Sequence, residues 1–96
     1  MIIKHTKPTL TKLEEIFRDL GYSVRYEKGT FNSGYCLVED RRVVVINRFY
    51  DTDGRVNVLM TILESIVENE NQLNEKYRHF YKNLLKNHEV IYNQKN

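Results

Sequence analysis

Apolar residues recur at helical spacing near the start of the chain: Leu10, Leu13, Ile16, Phe17 and Leu20. One stripe of this kind predicts an amphipathic helix over residues 9–20. Thr11 and Glu14 fit a capping box, Pro8 marks the helix start, and Gly21 stands where a left-handed C-terminal residue is wanted. The period then changes to two. Val24 and Tyr26 face one way and Arg25 and Glu27 the other, predicting a strand over residues 23–28. KGTFNSG, with two glycines, an asparagine and a serine, reads as a loop.

Two further strands are predicted over residues 34–39 and 42–49, with so little chain between them that they form a hairpin. If Asp40 and Arg41 make its tip, Val38 pairs with Val43, Leu37 with Val44, Cys36 with Val45 and Tyr35 with Ile46. Glu39 then faces Arg42, and opposite charges across the strands favour that register.

The helical period returns after the loop FYDTDGR. A second helix is expected from Thr52 or Asp53 to Glu68, with Val56, Leu59, Met60, Leu63, Ile66 and Val67 as its stripe, widened by Val58 and Ile62. A face that broad belongs to a helix at the centre of the structure. After the polar connector ENENQ, a third helix over residues 73–87 carries Leu73, Tyr77, Phe80, Tyr81, Leu84 and Leu85 on one side. Residues 1–8 and 89–96 are expected to fray. The sum is one α+β domain of order α-β-β-β-α-α, with a three-stranded antiparallel meander packed against helices.

Composition narrows the function classes. With 41% hydrophobic and 29% charged residues in 96, the chain suits a single globular core. A formal charge of +2 does not by itself argue for nucleic acid or a membrane surface. The single cysteine, Cys36, has no internal partner and reads as a reduced, buried small hydrophobe. MIIKHTKPTL lacks the apolar core of a signal peptide, and no stretch approaches the ~20 apolar residues that cross a bilayer. The expectation is a cytoplasmic protein without a membrane partner.

The acidic loop invites a cation, but its spacing refuses one. With Asp53 and Gly54 at the fifth and sixth positions of a calcium loop, the first falls on Phe49 and the twelfth on Met60. One glycine, no lysine and two carboxylates make no phosphate cradle. Asp51, Thr52 or Asp53 is expected to cap the second helix instead. Glu64 occupies the general-base position of an HExxH zinc peptidase, yet Leu63 and Val67 stand where the histidines would be, and Glu64 reads as a solvated residue. His5, His79 and His88 show no ligand spacing. No catalytic, cofactor or metal residue is therefore assigned, and an enzyme of unknown reaction is the third reading.

The stretch SGYCLVEDRRVVVINRFYDTDGRVNVL resembles a family of small bacterial proteins of unknown function. The resemblance rests on Ser33 to Cys36, on Val43 to Asn47 and on the Phe-x-Asp-Thr loop from Phe49 to Thr52. It extends over roughly residues 11–67 and implies no activity.

Two binding readings remain. Val43, Val44, Val45 and Ile46 leave the third strand no polar side, and a sheet apolar on both faces has to be covered on both. In a meander laid out in chain order that strand is also an edge, which invites another chain. If the third helix packs beside the second, Tyr35, Leu37, Val44 and Ile46 form an interface for a second copy or another protein. The alternative is a nucleic-acid surface built from Arg25, Lys28, Arg48, Tyr50 and Arg55, with cations along the backbone and tyrosines for stacking.

Overall fold

In the computed structural model the described residues are 4–28, 35–38 and 40–94, with the side chains of 35, 36 and 87–94 outside the description. Helix α1 spans Lys7–Asp19 and buries Leu10, Leu13, Ile16 and Phe17. It begins earlier than the periodicity predicts, because Pro8 sits in its first turn, where a fixed φ suits the helix and a missing N–H costs nothing. Thr6 is therefore the N-terminal cap residue, the Thr11–Glu14 box falls inside the helix, and residues 7 and 8 are helical rather than frayed.

The other end follows the sequence closely. Gly21 takes φ +88°, the N–H of Gly21 reaches the Arg18 carbonyl, and the N–H of Tyr22 reaches that of Phe17. This is a Schellman closure, and its two apolar flanks meet: the Phe17 and Tyr22 rings lie edge-on with centroids 6.0 Å apart.

The three strands are β1 (Ser23–Glu27), β2 (Tyr35–Val38) and β3 (Val43–Asn47). The β2–β3 hairpin has the expected register, from Val38 opposite Val43 to Tyr35 opposite Ile46. The expected facing of Glu39 and Arg42 involves a residue outside those described. Strand order, however, is β1-β3-β2, and β1 runs parallel to β3 with Ser23 beside Val43 and Glu27 beside Asn47. The sheet is thus mixed rather than an antiparallel meander, and the valine-rich β3 is its centre, not its edge. The physical reason lies in the side chains. The longer apolar β3 takes the place between two neighbours, the alternating β1 tolerates one edge, and the short apolar β2 forms the other.

Arg42 ties the junction together. It holds φ 51°, uncommon for a side chain of its kind, and donates from its guanidinium to the Leu20 carbonyl at 3.2 Å. Its own carbonyl accepts from Ser23 N–H at 2.8 Å, the first rung of the parallel pair.

Helix α2 (Thr52–Ile66) begins at Asp51, whose carboxylate accepts from Gly54 N–H at 2.8 Å. The acidic loop caps and turns, as its composition suggests. A 3₁₀ turn at Glu70–Gln72 interrupts the polar connector, held by reciprocal bonds between Asn69 and Gln72. Helix α3 then spans Glu75–Gln94. Its backbone continues through the tail expected to fray, since no glycine or proline intervenes to stop it.

All three helices contribute to one core. Phe17 and Leu13 from α1, Val56, Leu59 and Leu63 from α2, and Tyr77, Tyr81 and Leu84 from α3 pack together with Val44 and Ile46 of the sheet. Helix α3 thus joins the helix layer instead of folding over the far side of the sheet.

Candidate interaction surface

The pairing pattern divides the sheet into two unlike faces. Directly opposed residues share a face, so Val24, Tyr26, Leu37, Val44 and Ile46 point toward the helices. Val44 and Ile46 are fully buried there, with Val24, Tyr26 and Leu37 packed around them. The other face carries Ser23, Arg25 and Glu27 on β1, Val43, Val45 and Asn47 on β3, and Val38 on β2. The β1 residues of this face are exposed, Val43 and Val45 are half-buried between their neighbours, and Val38 is 36% exposed.

This division corrects the expected interface. Val44 and Ile46 are core residues and cannot meet another chain without unfolding, and Leu37 packs against the same core. The side chains of Tyr35 and Cys36 lie outside the described residues. The apolar residues left on the open face are Val38, Val43 and Val45, one position out of phase with the expected set.

The five residues expected to touch nucleic acid serve different ends. The Arg55 guanidinium lies 4.2 Å from the Tyr26 ring centroid and donates to the carbonyls of Tyr50 (3.0 Å) and Arg48 (2.7 Å). It closes the turn between β3 and α2. Tyr50 is half-buried against the core. Arg48 and Lys28 are exposed where β1 and β3 end side by side, and Arg48 lies against the ring of Phe49, itself 67% exposed. Exposed Glu27, Asp51 and Asp53 share that end of the chain's fold, so cations do not dominate it. Arg25 stands on the open face and pairs within its own strand with Glu27 at 3.8 Å.

One polar cluster was not visible in the sequence. The Tyr26 hydroxyl donates to the Glu14 carboxylate, joining β1 to α1, while Arg55 of α2 stacks on the same ring. Burial, then the hydrogen bond and negative charge of Glu14, push the Tyr26 hydroxyl well above the usual tyrosine range, with Arg55 opposing them. Tyr81 shifts in the same direction, through burial and the nearby Glu64 carboxylate. Glu64 is half-buried rather than fully solvated, and Leu63 and Val67 on either side of it are core residues. A second unforeseen pair joins His5 Nδ1 to Asp53 at the start of α2.

Two shallow polar grooves flank α1. One, of about 320 Å³, is lined by Glu14, Arg18, Tyr22, Ser23 and Val24. The other, of about 400 Å³, lies toward α3 among Glu15, Arg18, Asp19, Lys76 and Tyr77. Among the described residues there is no group of three or more His, Cys, Asp or Glu able to hold a metal. No helix of the described residues is long and apolar enough to cross a membrane. No family model, curated protein or solved structure matches the chain.

Proposed function

We propose that this chain is a non-enzymatic interaction module that associates with a second copy of itself through its sheet. The observation that carries this reading is the openness of the sheet. The three described strands leave two edges, and every described helix packs into the core on one face, leaving Val38, Val43 and Val45 on the other. Small sheets of this kind commonly gain a neighbour at an edge or a cover on the free face. Two-fold association of identical chains is the commonest way to supply one. Sedimentation equilibrium tests it directly. The expected result is a concentration-dependent mass approaching twice 11.6 kDa; a monomer across the whole accessible concentration range overturns the reading.

A further inference from the structure

Strand β1 is one edge of the sheet, and no described strand pairs with its outer side. The existing ladder fixes which of its backbone groups face outward. Ser23 donates to the Arg42 carbonyl at 2.8 Å, and the Glu27 carbonyl accepts from Arg48 N–H at 3.1 Å. Residues 23, 25 and 27 therefore turn their amides and carbonyls toward β3, while Val24 and Tyr26 turn theirs outward. Beside them lies the groove of about 320 Å³. Its lining comes from α1 and the start of β1, with no residue of β3 or α2, which places it outside β1 rather than within the core. An edge strand running beside a helix-walled groove is the geometry into which an extended strand is added.

Resting on the self-association proposed above, we infer that the added strand is β1 of a second copy, antiparallel about a two-fold axis, with Arg25 of each copy opposite Glu27 of the other. Backbone geometry and charge select this arrangement in turn. Because Val24 and Tyr26 carry the outward groups, a two-fold antiparallel joint must use them as its hydrogen-bonded positions, which leaves few registers. Pairing Val24 with Val24 sets Arg25 against Ser23. Pairing Val24 with Tyr26 sets Arg25 against Arg25. Pairing Tyr26 with Lys28 sets Glu27 against Glu27. Only the register with Tyr26 opposite Tyr26 joins opposite charges, and it does so twice.

Both side chains are available for this: Arg25 is 62% and Glu27 51% exposed. They fall at the non-hydrogen-bonded positions, where facing strands bring side chains closest. The same register sets Lys28 of the second copy across from Val24, at the groove to which Glu14 contributes a carboxylate. Charges on an edge strand usually discourage pairing. Here opposite signs two residues apart discourage the like-charged registers and favour one.

The test is a charge swap read by sedimentation equilibrium, with circular dichroism verifying that each variant is folded. Arg25→Glu and Glu27→Arg should each weaken the dimer by about tenfold, since each turns two attractive cross-strand pairs into repulsive ones. The double variant R25E/E27R should recover the wild-type constant. A dimer indifferent to R25E overturns the register, as does a double variant no tighter than the singles. If Val43→Lys dissociates the dimer while R25E does not, the joint is the open face, and self-association stands without this edge. A wild-type monomer removes both.

Discussion

Val43 and Val44 are neighbours of identical chemistry on the same strand, yet they belong to different worlds. Val44 is fully buried beneath the helices, while Val43 is half-buried on the face the described helices leave free. The same contrast runs across β1, where Tyr26 joins a cluster reaching into α1 and α2 and Arg25 pairs with Glu27 in its own strand. What separates these residues is parity, one step along the strand, not hydrophobicity. An apolar strand therefore does not announce which of its sides is core.

The largest difference between the two sides of β3 is expected from a single charge placed on one or the other. Val44→Lys buries an ammonium with no partner, and should cost about 4 kcal/mol or more, enough to abolish a cooperative unfolding transition. A folded Val44→Lys chain would show that Val44 does not lie beneath the helices.

Next in size is Tyr26→Phe, which leaves the ring under Arg55 but removes the bond to Glu14. A loss of about 1 kcal/mol is expected in chemical denaturation. The sign of its pH dependence follows from the raised titration of this hydroxyl. Its contribution is whole below the unfolded tyrosine value near 10.0 and drains away as pH rises toward the higher folded value. Wild type should therefore lose stability more steeply than Tyr26→Phe above pH 10. Parallel alkaline slopes would remove Tyr26 as the cause.

Val43→Lys should cost about 1 kcal/mol or less, because the lysine stem can lie along the open face with its ammonium in water. A penalty equal to that of Val44→Lys would mean that both faces are buried. The smallest effect belongs to Arg25→Ala, expected within about 0.5 kcal/mol of wild-type stability, as an exposed pair contributes little. A larger loss of monomer stability would reveal a role for Arg25 inside one copy.

Sequence patterns reached the local features and missed the distant ones. The cap at Asp51, the left-handed Gly21 and the described pairs of the β2–β3 hairpin, from Tyr35–Ile46 to Val38–Val43, depend on residues close in the chain, so their signals survive in a short window. Strand order depends on where the connection after Lys28 leads, and nothing in KGTFNSG says whether it turns beside β1 or passes to the far side of β3. The run VVVI carries no polar residue to mark its outer side; that mark lies on β1, in Ser23, Arg25 and Glu27, and becomes readable only once β1 is known to lie beside β3. Tyr26 with Glu14 and Arg55, or His5 with Asp53, are joined by tertiary packing alone. The expected interface drew on buried residues for the same reason, since an all-apolar strand does not mark which of its sides meets the helices.

Placing the last-made strand in the middle of the sheet has a consequence for how the chain comes together. As β1 leaves the ribosome its lateral mate does not yet exist, and the β2–β3 hairpin that supplies it closes on its own in roughly 1–10 μs. The N-terminal segment is then a latecomer docking onto a finished ribbon, and a ribbon offered by a neighbouring nascent copy presents the same berth.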